Sequence, residues 1–562
     1  MTRPAVYPCP RRLQLLGGSS VVRHLDVQRD RSLAAQGYQL VIDADGARLL
    51  AADDAGERYG RSTFQQWCDA HATEASIPHV AIDDHPDLAV RGVMLDVSRD
   101  KVPTMASLLL LVEQLAQWRY NQLQLYIEHT FAFEGFDDVW WYADAFTPDE
   151  IRQIDRACQQ AGIELVPNQN CLGHMERWLR VPRLRPLAAS PDGFDLWGMH
   201  RGPTTLDPAN PAAFEFVRTL LREALPCYGS RQINVGLDEP WEFGDGRRDE
   251  YVHWVRRLRD LPELDGYDIQ VWGDVLTADP GLVASLPDGV TVNEWGYEAG
   301  HDFNGRGLAC QQAERPWMAC AGTSSWQTVL GRTTNMRCNI RAATEAARGF
   351  DARGLLVTDW GDFGHLQCDA VRQPALALAA GMSWCAATNE AVDLDTVADS
   401  AAIALGDVYL AADAQIPNCS RLVRHLYFPQ IAVRRLSHDE CDRAEAGLDV
   451  GVALLRDRAD LDADGLRCGA DLTRLAIADA RARLAADGTI ESVPDATRRL
   501  LADQLRPLID RHRELWLRSN RAGGLDDSVR WLTNVRNGYV SGVTDPAWPY
   551  PTVDLTTATA GP

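Results

Sequence analysis

Short apolar runs punctuate the chain between Arg91 and Asp362, and the segments between them carry apolar residues at helical spacing. The runs predict strands over residues 92–97, 122–128, 163–168, 233–238, 269–274, 290–295, 317–322 and 355–359. Regular alternation of strand and helix is the signature of a parallel sheet. About eight strands across about 300 residues is the size and repeat of a (β/α)8 TIM barrel, an α/β fold. A doubly wound open sheet usually carries a glycine-rich first turn, and none stands here. Nearly every predicted strand ends in polar or aromatic residues: Asp96 and Arg99, Glu128 and His129, Asn168 and Asn170, Asp238 and Glu239, Trp272 and Asp274, Glu294 and Trp295, Ser325 and Trp326, Trp360 and Asp362. A barrel gathers such ends on one face, where active sites sit.

The flanks read differently. Residues 1–88 predict a small α+β domain: a strand over 38–42, a turn at Ala44, Asp45 and Gly46, a returning strand over 47–51, and a helix from about Ser62. The polar stretch 82–87, with Pro86, reads as the boundary before a barrel over 89–387. After 388 the strands stop. Segments 466–486 and 497–519 have helix-period apolar residues, Gly523 and Gly524 mark a stop, Asp526, Asp527 and Ser528 a restart, and the stretch beyond Thr544 reads as a loose tail. Residues 388–562 are thus expected to be a helical C-terminal region.

Composition narrows the classes. The net charge of −23 repels phosphate backbones and argues against a nucleic-acid partner. No apolar run approaches membrane-spanning length, so no membrane partner is expected. The 13 cysteines form no CxxC pair, as expected of buried thiols in a reducing compartment. The first residues lack an apolar stretch suited to export, so the expected location is cytoplasmic.

The sharpest chemical feature is Asp238-Glu239-Pro240 at the end of the fourth predicted strand. Glycosidic cleavage needs a proton for the leaving oxygen and negative charge beside the developing oxocarbenium centre. Close carboxylates disfavour each other's ionisation, which helps keep one protonated as the acid. Neighbouring strand residues point to opposite faces, so both can serve one sugar only if the strand is turning into a loop there. From this motif alone an acidic helix N-cap fits about as well.

At these residues the chain resembles glycoside hydrolase family 20, the β-N-acetylhexosaminidases. The stretch from Arg91 to Arg99 is similar to that family's first barrel strand, and the run from Val166 to Gly173-His174 to its third. Asp238-Glu239 matches its Asp-Glu dyad, and Trp360-Gly361-Asp362 its eighth-strand Trp-x-Glu. Residues 1–88 resemble its small leading domain, including Tyr59, Gly60, Ser62, Thr63 and Phe64. Asn234 stands where the family has His, Asp362 where it has Glu, and Glu128-His129 where it has an Asp pair, which points to a divergent branch.

The resemblance implies an exo-acting, retaining β-N-acetylhexosaminidase. It would remove terminal GlcNAc or GalNAc from a small oligosaccharide or glycoconjugate by substrate-assisted catalysis through an oxazolinium intermediate, with no cofactor and no metal. Asp238 would hold the acetamide and Glu239 serve as acid and base. Arg99 would grip hydroxyls, Glu128 and His174 tune the acid, and Asp362 anchor distal hydroxyls. Trp272, Trp295, Trp326 and Trp360 would wall the pocket around the acetamido methyl and the sugar ring, and Asp274 and Tyr297 would be further anchors of the same kind as Asp362.

Each residue has a plainer reading as well. Arg99 can be a surface ion pair with Asp96 or Asp100, His174 a satisfied supporting histidine, each Trp a core residue, and Asp362 a turn residue. Three other functions stay open. They are a classical retaining glycosidase with a protein nucleophile, a non-catalytic carbohydrate-binding protein, and a metal-dependent barrel hydrolase, for which ligands at suitable spacing are lacking. The C-terminal region could buttress the barrel, cover the pocket mouth or form a homodimer contact.

Overall fold

The structure, a computed structural model, describes residues 4–543 apart from 23, 197–198, 244, 278 and 429–435. The expected tail beyond Thr544 lies outside the described residues. Among these, the strands in chain order are β1 (Arg12–Ser20), β2 (Leu25–Arg29), β3 (Tyr38–Asp43), β4 (Gly46–Ala51), β5 (Ile77–Asp84), β6 (Val90–Asp96), β7 (Gln122–Ile127), β8 (Glu164–Gln169), β9 (Phe194–Leu196), β10 (Met199–Arg201), β11 (Gln232–Asn234), β12 (Asp268–Trp272), β13 (Val290–Trp295), β14 (Trp317–Gly322) and β15 (Gly354–Asp359). Strands β6–β8 and β11–β15 close into a parallel barrel in chain order, and β15 pairs with β6 to seal it. Helices return the chain between them, as expected.

The inner and outer faces of the barrel differ chemically. Outward-facing Leu123, Leu125, Val271, Ala319 and Leu355 pack with the surrounding helices in one large core. Inward, a belt of amides spans the axis. Asn168 and Asn234 donate to Gln124 Oε1 at 2.9 and 3.2 Å, Gln124 donates to Gln270 Oε1 at 2.9 Å, and Asn293 donates to the same oxygen at 3.0 Å. In a low-dielectric interior such a connected network holds its members rigidly. It is the floor on which the catalytic-face aromatics rest.

One strand is shorter than its sequence pattern. Residues 233–238 read as a strand, yet β11 ends at Asn234. Beyond it Gly236, Leu237 and Glu239 take φ values of 72°, 74° and 48°, in the left-handed region. Apolar Val235 and Leu237 are buried from this loop, which is why the segment looks strand-like in one dimension.

The leading unit is a five-stranded sheet in the order β1-β5-β3-β4-β2, with the helix Asp54–Ala70 against it. That helix starts eight residues before Ser62 because Asp53 caps it, accepting from Gly56 N. Strands β1 and β2 were not legible: β1 is almost wholly exposed and contains Gly17 and Gly18, so it lacks an alternating buried face. The expected boundary at 82–87 also needs correction. Its first half is strand β5, and Asp84 is buried at the junction with the barrel. Arg119 pairs with Asp84 at 2.8 Å, Tyr38 Oη and Trp384 Nε1 donate to the same carboxylate at 2.7 and 3.0 Å, and the guanidinium lies 4.3 Å from the Trp384 ring centre.

Among the described residues no strand follows Asp359. The C-terminal region is built from the helices His438–Ala453, Leu461–Leu484, Asp495–Ser519 and Leu525–Ser541, with shorter helical turns before them. They enclose their own core around Leu466, Leu472, Leu505, Trp516 and Leu532. No helix among the described residues is long and apolar enough to cross a membrane.

Removing one member of a buried ion pair leaves the other charge unpaired. Asp84→Ala should therefore lower the unfolding free energy by about 3–5 kcal/mol in urea titration. A loss under ~1 kcal/mol, the size typical of an exposed pair, would show that the junction is not held by this carboxylate.

Candidate active site

The ends of all eight barrel strands and the loops that follow them bring the sequence-predicted residues together at the C-terminal end of the barrel. The left-handed turns after β11 settle how Asp238 and Glu239 relate. They cancel the alternation of a strand, so consecutive side chains converge on one group: His174 Nε2 lies 3.3 Å from Asp238 Oδ2 and 3.4 Å from Glu239 Oε2. Non-glycine residues in this conformation cost about 1–3 kcal/mol each. The surrounding backbone offsets that. Cys171 N donates to Val235 O at 3.0 Å, Trp272 N to Gly236 O at 3.0 Å, and Glu239 N to Asp274 Oδ2 at 3.0 Å.

Two glycines make this approach feasible. A Cβ on Gly236 would meet Asn170 Oδ1 at 1.6 Å, and one on Gly173 would meet Asp238 O at 2.2 Å. The Gly173-His174 pair is therefore a steric requirement: the loop after β8 presses its backbone on the dyad. His174 itself sits at φ 53°, which aims its ring between the two carboxylates. Burial lowers its pKa, but the neighbouring carboxylates of Asp238 and Glu239 override this and hold it well above the usual histidine value. His174 thus lies between two acids on one side and the Arg99 guanidinium, 3.3 Å from its Nδ1, on the other.

Arg99 fills the neighbouring corner. Its guanidinium contacts Asp96 Oδ2 at 3.2 Å and Glu128 Oε1 at 3.1 Å, with Asp362 Oδ1 at 3.8 Å, and it lies 4.7 and 4.9 Å from the ring centres of Tyr126 and Trp360. The Asp96 partner of the plain reading is present. Asp100 is not a partner of Arg99, because it pairs with Arg177. Glu128 is buried beneath Arg99, accepts from Tyr126 Oη at 3.1 Å, and lies 3.9 Å from His174 Nδ1. Burial pushes its carboxyl up to about 7 against the pull of Arg99 and His174. Asp362 remains one-third exposed at the mouth. Burial raises it to about 6, opposed by Arg99.

The aromatic residues form a graded wall. Trp272 and Trp326 are fully buried, Trp360 and Tyr297 nearly so, and Trp295 is partly exposed. Trp295 stacks on Tyr297 at 5.1 Å, Tyr297 meets Trp326 edge-on at 5.0 Å, and Trp360 Nε1 donates to Tyr297 Oη at 2.8 Å. Trp272 and Trp326 are thus structural backing for the wall more than exposed surface, whereas all four indoles were expected to line the pocket. Asp274 ties wall to dyad. One oxygen accepts from Glu239 N and the other lies 3.4 Å from Trp295 Nε1, while burial and the charge of Asp238 push its carboxyl up to about 7.

Tyr126 was missed in the sequence. It supports Arg99, donates to Glu128 and accepts from Asn170 Nδ2 at 2.6 Å. The available signal was the alternation Gln122, Gln124, Tyr126, Glu128, a polar inner face on an otherwise apolar strand. Several buried side-chain atoms of the site have no hydrogen-bond partner among the described residues, among them the acceptors Asp238 Oδ1 and Asn170 Oδ1, the donor Trp272 Nε1, and His174 Nε2. Among the described residues no cluster of three or more His, Cys, Asp or Glu side chains could hold a metal ion.

Comparison with known proteins bears on the family and the fold. Residues 13–85 match the model of glycosyl hydrolase family 20, domain 2. The chain is 22% identical over 309 residues to the lacto-N-biosidase of Bifidobacterium bifidum, covering 50% of this chain and 26% of that protein. It is 23% identical over 257 residues to the beta-hexosaminidase subunit beta of Entamoeba histolytica, covering 41% and 44%. The chain thus spans less than half the length of both relatives. The chitobiase structure of Flavobacterium johnsoniae superposes with a TM-score of 0.58 at 13% identity over 91% of this chain and 99% of that one, a likeness of fold. The leading-domain match, the curated relatives and the closed barrel together support a glycoside hydrolase family 20 protein, at low identity.

Proposed function

We propose that the protein is an exo-acting, retaining β-N-acetylhexosaminidase that cleaves terminal GlcNAc or GalNAc by substrate-assisted catalysis. One observation carries the reading. Asp238 and Glu239 converge on one imidazole while differing in access: Asp238 is buried, and the Glu239 side chain is 31% exposed.

The buried, unpartnered Asp238 Oδ1 suits an acceptor for the substrate's acetamide N–H. With that group oriented, the acetamide oxygen attacks the anomeric carbon as the glycosidic C–O bond breaks. Glu239 gives its proton to the leaving oxygen, and the carboxylate left behind is stabilised beside His174. Water then adds to the anomeric carbon, passing a proton back to Glu239 as the bond to the acetamide oxygen opens. Two displacements at one carbon retain configuration. Arg99 and Asp362 hold ring hydroxyls at the mouth, where a bidentate guanidinium and a carboxylate present complementary donors and acceptors. Trp360 and Trp295 cover the sugar's apolar face.

Chromogenic β-GlcNAc, β-GalNAc and β-glucose substrates test the acetamide's part: the reading expects hydrolysis of the first or second and none of the third. Equal turnover of the glucoside would overturn it. Glu239→Gln should lower kcat by about 10²–10⁴-fold, the usual share of general acid–base catalysis, with the affinity for a stable oxazoline mimic little changed. Asp238→Asn should weaken that mimic's binding, because the amide presents an N–H where an acceptor is needed; unaltered affinity would remove Asp238 from its assigned role.

The pH dependence follows from Asp362. As pH falls below about 6 its carboxylate is protonated and becomes a weaker acceptor for hydroxyls. KM should therefore rise on the acid side with a midpoint near 6, and Asp362→Asn should flatten that limb while raising KM throughout. An acid limb that persists in this variant would assign it to another group.

A further inference from the structure

The C-terminal helix Leu525–Ser541 begins against the catalytic face of the barrel and touches two of its loops through different chemistry. The first is the loop that carries Arg99. Gly524, at φ 74°, lies so close that a Cβ there would sit 1.9 Å from Asp100 O. Three residues on, Asp527 pairs with Arg177 at 2.9 Å, and the other end of that guanidinium pairs with Asp100 at 2.9 Å. Asp100 takes a left-handed φ of 73° directly after Arg99, so the bridge bears on the residue that sets the direction of the Arg99 side chain.

The second is the loop that carries Asp362. Ser528 Oγ donates to Gly364 O and meets His512 Nε2 at 2.9 Å. Trp531 packs on Phe363 at 5.2 Å, and a Cβ on Gly364 would lie 2.4 Å from Trp531 Cδ1. Residues 363–365 are all in the left-handed region, with φ values of 61°, 90° and 49°. Such a conformation persists only where its surroundings over-determine it. Asp527 pairs with Arg177 and, within its own helix, with Arg530, while Ser528 bonds Gly364 and His512.

We propose that the first turn of this helix is a positioning clamp: Asp527, through Arg177 and Asp100, and Ser528, through Gly364, together set the placement of Arg99 and Asp362, the hydroxyl-gripping pair. They are positioning residues. The proposal rests on the hexosaminidase reading for the identity of what is gripped, but the clamp itself is a statement about two loops. Of the roles open for the C-terminal region, it assigns that of buttressing the barrel, at the two loops that carry Arg99 and Asp362.

The test uses the full chain with Asp527→Ala and Ser528→Ala, and Asp527→Glu as the variant that keeps the carboxylate. Displacing binding groups without removing the dyad raises KM more than it lowers kcat. Each alanine variant should raise KM by roughly five- to twentyfold while kcat stays within about threefold, and Asp527→Glu should recover part of the loss. Amide hydrogen exchange should quicken at residues 98–104 and 361–366 and hold elsewhere in the barrel. A lowered thermal midpoint with KM and loop exchange unchanged would overturn the clamp and leave mere packing. A wild-type chain inactive on N-acetylhexosaminides would count against the functional reading, while the exchange measurement would still decide the clamp. Should Asp527→Ala fail to fold, Ser528→Ala, which strands no charge, decides it by the same readouts.

Discussion

The candidate site depends on one backbone event: the fourth barrel strand stops at Asn234 and the chain enters left-handed conformations at residues 236, 237 and 239. A strand would have sent Asp238 and Glu239 to opposite faces, one inward and one towards the helices. The turns instead deliver both to His174. Everything nearby accommodates this geometry. Gly236 clears Asn170, Gly173 clears the carbonyl of Asp238, and Asp274 takes the Glu239 amide that no strand partner receives.

Around that turn the charges are layered. Arg99 and His174 sit among the carboxylates of Asp96, Glu128, Asp238, Glu239 and Asp362, so acidic side chains outnumber basic ones at the catalytic face. The balance is held by burial, which raises Glu128, Asp274 and Asp362 towards neutrality. Carboxyls raised in this way and gathered in one cleft are a common mark of functional sites. The departures from the family pattern fit the same picture: Glu128 reaches Arg99 directly, and Asn234, replacing the histidine, joins the amide belt below.

The three structural units meet through buried polar contacts as well as apolar ones. The leading sheet is tied to the barrel by Asp84 and Arg119, and the C-terminal helices by Arg177 with Asp527 and by Ser528 with Gly364. Polar contacts at a junction fix relative orientation, because each has a narrow geometry and a cost when broken. Apolar packing tolerates sliding more readily.

The sequence alone determined the barrel, since the strand–helix period and the polar strand ends are local properties, and it singled out Arg99, His174, Asp238, Glu239, Trp360 and Asp362 by type and position. It also placed Leu461–Leu484, Asp495–Ser519 and the start of Leu525–Ser541 to within a few residues, because their periodicity runs over many turns, but not His438–Ala453. It misread what depends on distant partners. The fourth strand ends early because backbone from the strands on either side receives its bonds, and β1 is extended only because β5 pairs with it. Tertiary structure alone decided that consecutive acids converge, that Trp272 and Trp326 serve as backing, and that residues near 527 brace a loop near 100. Periodicity records which face a residue presents; convergence depends on left-handed turns and close backbone approach, which are settled by contacts remote in the chain.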